Sequence, residues 1–120
     1  MGVNVVLNQL SAINKMCVGK LKKTQDYLHI SSMLIDEIKI VAGFHGIKNL
    51  SNYEKDVMDS INLVSDDGIT SMLQDIISNK RTEVDIFSGE ILRLAKLYGV
   101  KTPYNEKIYC KIKDIEKDFL

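Results

Sequence analysis

Long apolar runs, glycine-rich turns and an excess of either charge are all missing from these 120 residues, and each absence excludes something. No segment approaches the ~20 consecutive apolar residues that a membrane-spanning helix requires. No basic stretch followed by an apolar one opens the chain, so no signal peptide is expected. Sixteen basic residues balance sixteen acidic ones, and no Lys/Arg block is interleaved with aromatics. Strong binding to nucleic acid or to an anionic membrane is therefore not expected. Cysteine is scarce: Cys17 and Cys110 lie far apart and lack metal-ligand spacing. Without an export signal they read as reduced bystanders in a cytoplasmic protein, and no metal site is expected. No run alternates cleanly between apolar and polar, and the Asp67-Gly68 pair lies between helical stretches rather than in a hairpin.

What is present is helical period from end to end. At 45% hydrophobic residues the chain can build one core, and its length suits a single domain. After the opening segment, Gly19 and the basic Lys20, Lys22 and Lys23 lead to Thr24, an expected N-cap for a long helix. Leu34, Ile38, Val41, Ala42 and His45 form its stripe, with Gly46 as a stop. Ser51 and Glu54 have capping-box spacing, as do Ser71 and Gln74 around "SMLQDI". Residues 65–68, "SDDG", read as a loop. Thr82 and Asp85 open a further helix striped by Phe87, Ile91, Leu94, Ala95 and Tyr98, with Gly99 just beyond it. The single proline, Pro103, follows Thr102 at the start of the last helix, whose stripe is Tyr104, Ile108, Ile112, Ile115 and Phe119. The expected class is all-α, a compact bundle of about six helices.

One stretch resists a purely structural reading. In "NVVLNQLSA", residues 4–12, Asn4, Asn8 and Ser11 recur at i, i+4 and i+7 on one helical face, among Val3, Val5, Val6, Leu7 and Leu10. Buried amides cost several kcal/mol unless paired, so two carboxamides on so apolar a helix call for partners. Ser11 alone is accounted for by a bond back to the Leu7 carbonyl.

These residues do not stand alone. "NVVLNQLSAI", then "SMLQDI", "RTEVD" and "GVKTPYNEKIY", in that order, resemble the C-terminal domain of ketopantoate reductase (2-dehydropantoate 2-reductase) over nearly the whole chain. The resemblance implies a two-domain enzyme that reduces ketopantoate to pantoate, for pantothenate and coenzyme A synthesis. In it a Rossmann domain binds NADPH, and the helical domain closes the other side of the cleft. No G-x-G-x-x-G or βαβ pattern occurs in residues 1–120, so the chain is expected to be a fragment lacking that domain. The family's proton-donor lysine would fall immediately before Met1, leaving no catalytic residue in the chain itself.

By the same resemblance, Asn4 and Asn8 match the substrate-binding asparagines and Ser71 the substrate-contacting serine. Ser71 also reads as a plain N-cap, a role compatible with binding a carboxylate. Glu83 matches a glutamate near the lysine and the cofactor; otherwise it is a first-turn acid that suits the helix dipole. Thr82 and Asp85 read as capping partners, and Asp75 as a support for the loop before Arg81. His29 and His45 are expected at the surface or at helix ends. Where the family often carries an asparagine before the glycine after the first helix, this chain has Val18, which leaves another branched 2-keto acid open as substrate. The expected partners are a small 2-keto acid and the missing Rossmann domain, with a homodimer left open. A free-standing helical dimerisation or ligand-sensing module, with no chemistry of its own, is the alternative.

Overall fold

Residues 2–14 form the first helix, and its apolar side chains point in all directions: Val5, Val6, Leu7, Leu10 and Ala12 are all buried. A helix without a continuous wet stripe belongs at the centre of its domain, and the other elements pack around it. The computed structural model describes residues 1–120 and contains no strand. The C-terminal part of the first helix is α1 (Gln9–Asn14), followed by α2 (Val18–Lys22), α3 (Tyr27–Phe44), α4 (Tyr53–Asn62) and α5 (Ser71–Ile77). A 3-10 turn (Val84–Ile86) precedes α6 (Ser88–Tyr98) and α7 (Pro103–Lys117). The all-α class holds, with α2 an extra helix where the basic patch suggested only a connection. Helix α1 lies against α5 and α7, α3 against α6 and α7, and α4 against α3. A single cluster of 21 buried apolar side chains draws on every one of these helices.

The helix ends show where local signals were overridden. Gly99 adopts a left-handed φ of 68° after α6, as its position suggested. Thr24, however, closes α2: its hydroxyl donates to Leu21 O at 2.7 Å, and α3 begins only after Asp26. Ser51 does not cap α4, which starts after Asn52 and keeps Glu54 in its first turn, where it suits the dipole. At α7, Thr102 makes no capping bond, and buried Glu37 reaches across from α3 instead. Its Oε2 accepts the Tyr104 N–H and its Oε1 the Asn105 N–H, each at 2.9 Å. Pro103 has no N–H to offer, so the first free donors are those of residues 104 and 105, and one carboxylate can take both.

The 65–68 loop is fixed against α2 by its backbone. Val18 N–H donates to Gly68 O at 3.0 Å and Gly19 N–H to Asp66 O at 2.8 Å. A Cβ on Gly19 would stand 2.8 Å from Asp66 Cβ and 3.0 Å from Asp66 O, so this approach requires glycine.

Candidate functional site

In a regular α-helix the Gln9 N–H would donate to Val5 O, four residues back. Here it reaches Asn4 O, five residues back, and shares with Val6 O, so that Asn4–Asn8 form a π turn inside the first helix. Such turns recur at functional sites. The wider turn retards helical phase by about one residue, roughly 100°. As a result the expected Asn4–Asn8–Ser11 face divides. Asn4 and Asn8 stay half-buried, whereas Ser11 turns fully inward. Ser11 Oγ donates to Asn8 O at 3.1 Å, rather than to Leu7 O, and lies 2.5 Å from Thr70 Oγ1.

The two carboxamides are joined: Asn8 Nδ2 donates to Asn4 Oδ1 at 3.1 Å. That bond leaves Asn4 Nδ2 and Asn8 Oδ1 without a protein partner, a donor and an acceptor side by side at the surface.

Helix α5 carries the serine of the sequence motif and packs against the first helix. Thr70, in extended backbone, is its N-cap and accepts the Leu73 N–H at 3.3 Å. The proposed Ser71–Gln74 box therefore does not form, because Ser71 is already the first helical residue. It is exposed, and its hydroxyl has no protein partner. The buried Ser11–Thr70 hydroxyl pair thus ties the first helix, at the Asn8 carbonyl that Ser11 bonds, to the N-cap of α5. Asn4 and Asn8 are half-buried and Ser71 is exposed.

Glu83 is placed differently. It is exposed, its carboxylate makes no hydrogen bond or ion pair, and no bond links it to the asparagines or Ser71. The turn carrying it is pinned on both sides. Thr82 N–H and Oγ1 each donate to Glu116 Oε2 at 2.8 Å. Asp85 Oδ1 accepts the Tyr109 hydroxyl at 2.7 Å and Oδ2 the Lys113 ammonium at 3.0 Å. Those two donors, Tyr109 first, hold the Asp85 carboxyl below its ordinary pKa. Thr82 and Asp85 are therefore anchors to α7 rather than a capping pair opening α6.

Other residues complete the picture. Val18 is buried as the first residue of α2 and faces the core, so it offers nothing to a ligand at the surface. Asp75 supports the loop before Arg81 through its carbonyl, which accepts the Lys80 N–H at 2.8 Å. His29 and His45 are exposed, His45 Nδ1 lying 2.6 Å from Tyr98 Oη. Sequence reasoning passed over Gln9, Thr70 and Glu37, although a glutamine inside so apolar a helix was a visible signal. None of the five larger pockets is lined by Asn4, Asn8, Ser71 or Glu83. The foremost is an apolar cavity of about 500 Å³ between Met1, Val41, Ile47, Leu50 and Leu94. No helix is long and apolar enough to cross a membrane.

Known proteins share this sequence pattern and fold. The family described as "Ketopantoate reductase PanE/ApbA C terminal" matches residues 1–116. The 2-dehydropantoate 2-reductase of Vibrio cholerae serotype O1 is 26% identical over 119 residues, covering 99% of this chain and 40% of that protein. Among solved structures, D-mandelate dehydrogenase with NADH and anilino(oxo)acetate superimposes with a TM-score of 0.88 at 26% identity, over 98% of this chain and 39% of that one. A dimeric ketopantoate reductase from Staphylococcus aureus shares the fold, with a TM-score of 0.90 at 23% identity over 99% of this chain and 42% of that one. The chain spans about two fifths of the length of these relatives.

Proposed function

The chain belongs to the ketopantoate reductase C-terminal family, and from that premise we propose that it is the helical, substrate-side domain of an NADPH-dependent 2-dehydropantoate 2-reductase. The observation that carries this reading is the carboxamide pair on the π turn, with its unpaired donor and acceptor, and the free hydroxyl of Ser71 adds to it. Asn4 and Asn8 bind the hydroxyl and carboxylate side of ketopantoate, and Ser71 adds a further hydrogen bond. Together they orient the keto carbon, a positioning effect on the rate. A site that recognises polar groups in this way rejects ligands lacking them, since its own groups are then left unpaired.

No strand or glycine-rich turn in this chain can cradle a dinucleotide, so a Rossmann domain holds the cofactor, which when bound supplies the hydride. The unpartnered Glu83 carboxylate, on its pinned turn, fits an acceptor role toward the nicotinamide–ribose side or toward a lysine ammonium. That lysine, just upstream of residue 1, delivers the proton in the whole enzyme. The enzyme is cytoplasmic in this reading, and a homodimer suits it. A second substrate, another 2-keto acid, is favoured by the likeness to D-mandelate dehydrogenase.

Two experiments test the proposal. Titration of the isotope-labelled chain with pantoate should shift the Asn4, Asn8 and Ser71 resonances, weakly, while the chain alone oxidises no NADPH in the presence of ketopantoate. NADPH oxidation by the chain alone would overturn the division of labour. Sequencing the upstream coding region should reveal a lysine codon at the expected place, behind a strand–G-x-G-x-x-G–helix segment. An authentic start at Met1 would favour a free-standing helical module.

A further inference from the structure

We infer that Gln9 is a positioning residue: its side-chain amide holds the π turn open and so sets the spacing and direction of the Asn4–Asn8 carboxamide pair. The inference rests on the substrate-side reading above and extends it to a buried residue that touches no ligand.

The local bookkeeping is unusually complete. Because the Gln9 N–H has moved to Asn4 O, the Val5 carbonyl loses its regular donor in the middle of a fully buried segment. An unpaired carbonyl there would favour return to the ordinary α register. Gln9 prevents this with its own side chain, whose Nε2 donates to Val5 O at 2.8 Å. The residue that withdraws one donor supplies another.

The Gln9 amide is in turn fixed from outside the helix. Its second Nε2 hydrogen goes to Ser88 Oγ at 2.7 Å, and its Oε1 accepts the Ser88 N–H at 3.1 Å. That N–H is the first of α6 and has no partner within its own helix. Ser88 Oγ then donates to Asn105 Oδ1 at 2.9 Å, and Asn105 Nδ2 donates to Glu37 Oε1 at 2.9 Å. Glu37 also caps α7, as described. Gln9, Ser88 and Asn105 are all 0% exposed. The chain of bonds therefore has one direction, from amide to hydroxyl to amide to carboxylate, and reversing any member would leave a buried group unpaired. The orientation of Gln9, and with it the π register, is set by α3, α6 and α7.

Without Gln9 the helix regains α phase, and Asn4 and Asn8 turn relative to the Ser11–Thr70 contact that ties α1 to α5. The test uses the labelled 120-residue chain and two readouts. The first needs no ligand: the side-chain amide resonances of Asn4 and Asn8 and the exchange rate of the position-9 N–H. The second is pantoate affinity by titration. Gln9→Leu should move both amide pairs, change that exchange rate and weaken pantoate binding at least tenfold. Ile61→Val, a core trim in α4 that removes no bond of the Gln9 relay, should lower the melting temperature while leaving both readouts in place. Ser88→Ala, a milder lesion, should shift the same resonances in the same direction; it decides the matter if Gln9→Leu does not fold. Unmoved Asn4 and Asn8 amides in a folded variant would overturn the inference. A chain that ignores pantoate while its amides still respond to Gln9→Leu would sink the substrate reading alone.

Discussion

Two adjacent hydroxyls divide the work at the start of α5. Thr70 is buried, caps the helix and meets Ser11; Ser71 is exposed and bonds to nothing in the protein. Thr70→Val should therefore cost about 1–2 kcal/mol of stability, read as a lower urea midpoint. Ser71→Ala should change stability by less than about 0.5 kcal/mol while weakening pantoate binding in the same titration. The sequence reading takes Ser71 as the cap and passes over Thr70, one residue earlier before the same apolar run. Only the backbone separates them: Thr70 is extended, and Ser71 is already helical. Glu37 was less visible still. It lies in the middle of α3, and its role depends on α7 arriving from 67 residues further along the chain. Glu37→Ala leaves the part-buried Tyr104 N–H, the buried Asn105 N–H and the Asn105 amide unpaired, and should cost about 2–4 kcal/mol in urea unfolding. Glu37→Gln, which keeps one acceptor oxygen, should cost less.

Elements were legible where period alone decides them and lost where a second element intervenes. The stripes of α3, α6 and α7 and the stop at Gly99 follow from local sequence. The π turn does not, because it depends on Ser88 of α6 holding Gln9, and its phase shift is what turned Ser11 inward. The 3-10 turn before α6 is another case: Glu116, Tyr109 and Lys113 of α7 draw Thr82 and Asp85 away from any capping box. That pin carries a pH signature. Asp85 in the folded chain titrates below its unfolded value of about 4. Its contribution is present above that value and fades as pH falls through the depressed one. The urea midpoints of the parent chain and Asp85→Asn should therefore differ near neutral pH and converge as the pH falls through the depressed carboxyl pKa. Because Asp85 is largely exposed, the difference should be small.

For the molecule as a whole, the half-buried carboxamide pair and exposed Ser71 line none of the pockets described above. The resemblance that suggested these residues came from ordered motifs, whereas their support by Gln9, Thr70 and Glu37 came only from the packed structure. The foremost enclosed space lies elsewhere and is apolar. An environment-sensitive dye such as anilinonaphthalene sulfonate should brighten on mixing with the native chain. Ile47→Lys, a change at an exposed residue of that lining, should remove most of the gain.

The separation of the outward-facing amides from the one-way relay behind them has an evolutionary corollary. On the proposed reading, side chains that meet a ligand can be exchanged without disturbing the scaffold that aims them, so a lineage could drift from one acid to another in single steps. The relay has no such freedom, because each member has a fixed polarity and two neighbours. Preference for a ligand is thus the adaptable part of this domain, and its aim is the inherited part.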